Sequence, residues 1–312
     1  MDRKSLTSEN ITVTARFSIG GLLEHGARRL RASVAAQGPG ATPDLDAEWL
    51  LTHVIGFGRA RLRSHPEDPV DERAIALYMR LLERRATGEP LAYVMGRKDF
   101  WSLRLTVTPA VLVPRPETEL LVERALTLRP EEFGSVVDLG TGSGAIALSL
   151  ASERPGWQVT ATDVSAEALA VARLNAEALS PKNRVQFLQG PWFEPLKGRS
   201  FDLIVSNPPY IAADDPAMRD PALLHEPRGA LTPGTDGMAS LRAIIEAAPD
   251  YLERDGWLLL EHGAEQAPEV ARELVARGLR HVRSHRDLAG HERMTEAQRA
   301  LNYHARKLNT HG

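Results

Sequence analysis

The sequence predicts an α/β protein: a doubly wound, mostly parallel seven-stranded sheet preceded by a small N-terminal helical bundle. Three observations carry this expectation. From residue 136 onward, short apolar runs alternate with amphipathic stretches of helical period, the pattern of βαβ units. The first apolar run ends in a glycine-rich loop that opens a helix, and the second ends in Asp163. Residues 17–87, by contrast, repeat apolar positions every three or four residues.

In chain order, residues 1–16 are polar and aperiodic and are expected to be a flexible extension. The domain 17–87 should hold three helices. One lies near 18–36, with Leu22, Leu23, Ala27, Leu30 and Val34 as its stripe. A second follows Pro43, with Leu45, Trp49, Leu50, Val54 and Ile55 on one face, and a third starts near Asp71, with Ile75, Leu77, Tyr78, Leu81 and Leu82. Residues 88–116 read as a linker with a β-hairpin: 100–107 alternates and is rich in β-formers, and 111–113 is its expected partner. Pro114 and Pro116 precede a helix over 120–128, where a preset φ costs no needed donor. The main domain, 117–312, should carry strands at 136–139, 158–163, 184–189, 201–206, 257–261, 281–285 and 299–305. Its helices fall at 144–153, 165–179, 239–252 and 264–276, with Ser165 as an N-cap.

Composition narrows the function classes. At roughly 100–200 residues per domain, 312 residues suit about two domains. The net charge of −3 argues against a free-standing, phosphate-driven nucleic-acid binder. With no cysteine there is no disulfide scaffold, thiolate zinc site or cysteine nucleophile. No apolar run approaches a membrane span, and the N-terminus lacks the apolar core of a secretory signal, so a cytoplasmic protein is expected.

The loop Asp138-Leu139-Gly140-Thr141-Gly142-Ser143-Gly144 follows the first strand. Its glycines permit a sharp turn and let a ligand touch the backbone. Gly140, Gly142 and Ala145 also satisfy a dinucleotide-binding spacing, and Asp163 at the end of the second strand could accept both ribose hydroxyls of either NAD or S-adenosylmethionine. Asp138 favours the sulfonium ligand. A carboxylate there suits an ammonium group and would repel a pyrophosphate.

Ser206-Asn207-Pro208-Pro209-Tyr210 ends the fourth strand, which in this fold lies beside the glycine loop. Two prolines cannot continue a central strand, and they fix a rigid, extended bend. Asn207 offers an amide oxygen, Pro208 a free carbonyl and Tyr210 a flat apolar face. The set suits a planar group bearing –NH₂, whose two hydrogens go to the Asn207 oxygen and the Pro208 carbonyl. An amide nitrogen is a poor nucleophile because its lone pair is delocalised. Two fixed acceptors localise that pair and stabilise the positive charge developing during transfer.

With these residues in view, the chain resembles the protein-(glutamine-N5) methyltransferases that modify peptide-chain release factors, from about residue 17 to 305. The motifs DLGTGSGAIAL at 138–148 and VSNPPYI at 205–211 carry the resemblance. GEPLAYVMGRKDFWSL at 88–103, LVPRPETE at 112–119, HEPRGAL at 225–231 and LLLEHG at 258–263 add to it. The resemblance implies a class I, Rossmann-like methyltransferase domain at 117–312 and a substrate-recognition role for 17–87. It implies S-adenosylmethionine as cofactor, methylation of the glutamine of a Gly-Gly-Gln motif, and release factors as partners, with no sequence-specific nucleic acid and no membrane. Asp138, Leu139, Gly140, Thr141 and Gly142 would line the methionine and ribose, Asp163 would bind the ribose, and Trp192 would pack near the adenine. Asn207, Pro208, Pro209 and Tyr210 would hold the glutamine, with Asn207 also near the cofactor; Asn207, Pro208 and Tyr210 would be the catalytic set. Pro191 stands where the family often has an acid, so a backbone acceptor is expected to serve the adenine. The alternative reading is an N6-adenine methyltransferase acting on DNA or RNA, since Asn-Pro-Pro-Tyr is shared with those enzymes.

Other features receive plainer readings. His281 and His285 lie in a strand, where four residues is a long separation, and no metal site is expected. His262 is expected to be a satisfied core histidine. Arg59, Arg61 and Arg63 read as a solvated face, the other reading being a contact to an acidic or RNA-bearing partner. Arg115, Glu117 and Glu119 either close over the cofactor or cap a helix and pair at the surface. Residues 211–235 form a long Asp-, Pro- and Gly-rich loop, read as a substrate-facing lid.

Overall fold

A computed structural model describes residues 18–36, 41–179 and 185–300. The expected extension 1–16 lies outside the described residues. The chain divides into two compact units: residues up to Gly96 together with Arg219–His225, and Arg97–Met218 with Glu226 onward.

The first unit is helical: α1 (Ile19–Arg31), α2 (Pro43–Ile55), α3 (Arg59–Ser64), α4 (Glu72–Ala86) and α5 (Leu91–Met95). The caps explain the boundaries. Ser18 accepts from the Gly21 N–H, Asp71 accepts from Arg73 and Ala74, and Gly56 and Gly96 end α2 and α5 at positive φ. Leu22, Leu30, Leu50, Leu51, Tyr78 and Leu82 form the core. Gly26 is required there, because a Cβ would lie 1.9 Å from the Tyr78 hydroxyl. The expected face of α2 is rotated. Ala47, Leu50 and Leu51 are buried, whereas Trp49 is exposed beneath the Arg59 guanidinium. The short helices α3 and α5 were not anticipated. α3 buries only Leu62, and α5 is apolar on every side, so neither shows a helical period.

The second unit opens with a hairpin that differs from the expected one. β1 (Arg97–Phe100) pairs antiparallel with β2 (Leu103–Thr106). Trp101 takes a left-handed φ of 53° and splits the expected 100–107 strand in two, while Val111–Val113 belongs to no strand. A 3₁₀ turn, Pro116–Thr118, leads into α6 (Glu119–Leu128). Then follow β3 (Gly134–Leu139), α7 (Ala145–Glu153), β4 (Trp157–Asp163), α8 (Ala166–Leu179), β5 (Val185–Gln189), β6 (Phe201–Ser206), α9 (Arg228–Leu231), α10 (Ala239–Tyr251), β7 (Leu252–Glu261), α11 (Ala267–Ala276), β8 (Arg280–Arg286) and β9 (Glu292–Gln298). Ser165 caps α8, its Oγ accepting from the Ala168 N–H at 3.0 Å.

The seven strands run β5-β4-β3-β6-β7-β9-β8, parallel from β5 to β7, with β9 antiparallel to both neighbours. The expected strand at 299–305 lies mostly outside the described residues, and the last strand among the described residues is Glu292–Gln298. Its sequence hid it. Buried Glu296 is held by Arg124 and His285, so a charged residue occupies a core position. Alternate residues of the central strands enter two cores. Val136, Leu203, Val205 and Leu259 pack on one face, and Val137, Ile204, Leu258 and Leu260 on the other. Both faces are thus covered, as a doubly wound sheet requires.

Strand order reverses between β3 and β6, and Leu139 stands directly opposite Ser206. Their carboxyl ends place the glycine loop beside the Asn-Pro-Pro-Tyr turn, at the switch point where such sheets bind ligands.

Candidate active site

The glycine loop is held from within. The Gly140 and Thr141 N–H groups both donate to the Thr162 carbonyl at 2.9 Å. Gly140, Gly142 and Gly144 take φ of 73°, 56° and 84°, which side chains other than glycine's rarely adopt. Asp138 is fully buried. Its Oδ2 accepts from the Thr141 hydroxyl (2.7 Å) and the Ala147 N–H (3.2 Å), and its Oδ1 has no partner. Burial pushes its carboxyl up to about 7, against the pull of those two donors. Asp163 accepts from the Gly142 N–H through Oδ2 and from the Ser165 N–H through Oδ1, both at 2.9 Å. Burial raises its pKa, and backbone donors oppose the rise. Each Asp163 oxygen keeps acceptor capacity for a further donor.

A cavity of about 350 Å³ opens at this loop. Gly140, Gly142, Asp163, Trp192, Asn207 and Pro209 all line it, so six of the sequence-selected residues meet there. Asp138, Leu139, Thr141, Pro208 and Tyr210 do not line it. Leu139 is buried in the core, and the Thr141 hydroxyl is spent on Asp138. The Trp192 ring passes 3.4 Å from where a Gly140 Cβ would sit, so glycine keeps the ring against the loop. Gly190 and Pro191 also line the cavity beside Trp192. A flat indole, a half-open aspartate and a side-chain-free loop suit a nucleoside, and the unpartnered Asp138 oxygen beneath the loop remains as an acceptor. The residues present therefore fit S-adenosylmethionine.

The Asn-Pro-Pro-Tyr turn is held from outside. Asn207 Nδ2 donates to Thr118 Oγ1 at 3.0 Å. Thr118 also pulls down the pKa of the Glu261 carboxyl, at the end of β7, against its burial. The Tyr210 hydroxyl donates to Glu261 Oε1 at 3.4 Å, and the Tyr210 carbonyl accepts from Gln266 Nε2 at 3.0 Å. Burial pushes Glu261 up to about 7 and raises Tyr210. Thr118, Glu261 and Gln266 were not selected as site residues from the sequence. The segments LVPRPETE and LLLEHG had pointed to the first two without giving them a role.

The remaining readings resolve individually. Buried Glu226 accepts from the Val113 N–H (3.0 Å) and from Arg115 (2.5 Å), anchoring the start of the segment whose Pro227, Gly229 and Thr232 line the cavity. Within the expected lid, Arg219–His225 groups instead with the helical unit. Glu119 accepts from the Trp101 N–H at 2.7 Å, and Glu117 is exposed. His262 is buried, with Nδ1 on the Gly263 carbonyl and Nε2 on the Thr295 hydroxyl; burial lowers its pKa. Arg59 and Arg63 pair with Glu48, and Arg61 pairs with Asp68. Among the described residues no helix is long and apolar enough to cross a membrane, and no three metal-ligating side chains gather.

Two family models match the chain: a PrmC N-terminal domain over residues 22–96 and a methyltransferase small domain over 116–238. The release factor glutamine methyltransferase of Coxiella burnetii is 47% identical over 259 residues, covering 83% of this chain and 92% of that protein. The one from Bordetella pertussis is 50% identical over 256 residues, covering 81% and 94%. Among solved structures, the hMettl16 catalytic domain in complex with an RNA hairpin of MAT2A superposes with a TM-score of 0.51 at 16% identity, covering 74% of this chain and 82% of that one; this likeness concerns the fold alone. With this agreement over about four fifths of its length, the chain belongs to the release factor glutamine methyltransferase family.

Proposed function

We propose that this chain methylates the side-chain amide nitrogen of a glutamine in peptide-chain release factors, at a Gly-Gly-Gln motif. S-adenosylmethionine supplies the methyl group on a cationic sulfur. The nitrogen–carbon bond forms as the sulfur–carbon bond breaks, and the nitrogen then loses a proton to solvent. The observation that carries this reading is the orientation of Asn207. With Nδ2 committed to Thr118, its Oδ1 is the free acceptor beside the cavity. That oxygen and the Pro208 carbonyl accept the two amide hydrogens, localise the lone pair and meet the developing positive charge. The two prolines keep both acceptors fixed, which lowers the entropy cost of alignment. Tyr210, outside the cavity lining, anchors the end of the turn through Glu261 and Gln266. Asp163 binds the ribose, Trp192 packs on the base, and Asp138 orders the loop beneath the methionine end.

The helical unit serves protein recognition in this reading. A glutamine side chain offers little surface, whereas a stable protein contact needs about 800 Å² per partner. A short Gly-Gly-Gln peptide should therefore show a much higher KM than the full-length factor. The adenine reading is not favoured, because the curated relatives act on release factors. Offering labelled S-adenosylmethionine with release factor or with adenine-containing DNA and RNA tests the choice. Label is expected in the factor's glutamine, and label in nucleic acid alone would overturn the proposal.

A further inference from the structure

We infer that Glu226 is a positioning residue that latches two loop walls of the cavity together and so holds the cofactor in it. The inference rests on the assignment of this cavity to S-adenosylmethionine. One wall is residues 110–112, ahead of α6, and the other is the segment around α9, with Pro227, Gly229, Ala230 and Thr232. Neither wall is part of a strand, so no ladder fixes their spacing. Pro114 and Pro116 have no N–H to give, and Pro227, Gly229 and Ala230 have no polar side-chain atom. Glu226 supplies the tie. Its Oε2 accepts from the Val113 N–H at 3.0 Å, one residue past the first wall, and its Oε1 accepts from the Arg115 guanidinium at 2.5 Å. The acid itself stands one residue before the second wall.

The Glu226 side chain is 1% exposed. A carboxylate so deeply buried is costly unless it is paired and hydrogen-bonded, and here both oxygens are used. The far end of the second wall is tied to the residues just after the Asn-Pro-Pro-Tyr turn. The Ile211 N–H donates to the Leu231 carbonyl at 3.0 Å, and the Ala213 N–H to the Gly234 carbonyl at 2.9 Å. Segment 226–234 is thus a strap along the cavity, fixed at one end by the turn and at the other by Glu226. The cavity holds about 350 Å³, near the low end of the roughly 300–1,000 Å³ of ligand pockets, so a bound cofactor lies against its walls. Releasing the latch frees one end of the strap and lets the cofactor leave faster. Asn207 keeps its separate bond to Thr118.

The test measures S-adenosylmethionine affinity and dissociation rate on the full chain for Glu226→Gln, Arg115→Ala and the double variant. Turnover on release factor at saturating cofactor is followed alongside. Glu226→Gln keeps an acceptor for the Val113 N–H but loses the charge that holds Arg115. Each single variant should weaken cofactor binding by about tenfold, the scale of a hydrogen bond to a charged group, chiefly through faster dissociation. The double variant should bind no more weakly than the weaker single variant, since all three remove the same pair. Turnover at saturating cofactor should fall by less than affinity does, a split that a general loss of fold would not produce. Unchanged affinity in both single variants, or losses that add in the double variant, would overturn the inference. If Glu226→Gln does not fold, Arg115→Ala decides alone, and parental affinity there overturns the latch. Asp163→Ala run in parallel separates the two claims. Weakened binding there with parental binding in the latch variants removes only the latch, whereas parental binding in Asp163→Ala removes the cavity assignment and the latch with it.

Discussion

The glycine loop after β3 and the Asn-Pro-Pro-Tyr turn after β6 sit side by side but are held in opposite ways. The loop's anchors are near in sequence. Asp138 is bonded by residues three and nine positions away, and Asp163 receives Gly142 from a distance of 21. The turn's anchors are remote: Thr118 lies 89 residues from Asn207, while Glu261 and Gln266 lie 51 and 56 from Tyr210. In the function proposed above, the locally closed loop takes the cofactor, whose shape does not vary. A turn tied to distant elements takes its exact side-chain orientation from the folded sheet, and orientation is what the chemical step needs.

Substitutions should separate these two modes. The largest effect is expected at the turn. Asn207→Asp keeps an acceptor but cannot donate to Thr118, and it adds a second negative charge near Glu261. It should be as inactive as Asn207→Ala, a loss of about 10²–10³ in steady-state turnover; an Asp variant clearly more active than Ala would show that the donor edge is dispensable. At the loop, Asp163→Ala should weaken S-adenosylmethionine binding by roughly 1.5–3 kcal/mol, the value of hydrogen bonds to a charged group, as read by calorimetry. An unchanged Kd would remove the ribose assignment. Asn175 ties the loop to the hairpin. Its Oδ1 accepts from the Thr106 N–H, and its Nδ2 donates to the Thr106 and Ser143 carbonyls. Asn175→Leu leaves those buried groups unpaired and should cost about 1–3 kcal/mol in denaturant unfolding. The smallest effect belongs to Gly142→Ala. Its φ of 56° and open surroundings imply strain without a clash, about 1–2 kcal/mol of stability.

The same contrast explains what could be read from the sequence. The parallel sheet, the Ser165 cap, the helix start near Asp71 and the loop with Asp163 rest on local spacing, and the structure brings Gly140, Gly142, Asp163, Trp192, Asn207 and Pro209 to one cavity. The hairpin was misread because the left-handed Trp101 breaks an otherwise strand-like run. The strand Glu292–Gln298 was missed because buried Glu296 stands at a core position, paired with Arg124 far along the chain and beside His285 on another strand. Thr118, Glu226 and Glu261 escaped for a related reason. A single threonine or acid has no periodicity, and its partner is set by tertiary packing.

The division of labour between loop and turn is the central claim, and one variant tests it directly. Asn207→Ala should be loaded with S-adenosylmethionine, its Kd measured by calorimetry, and methylation of full-length release factor followed through a single turnover. The account predicts cofactor binding close to that of the parent chain and transfer slowed by about 10²–10³. Near-normal transfer, or a loss explained wholly by weaker cofactor binding, would contradict it.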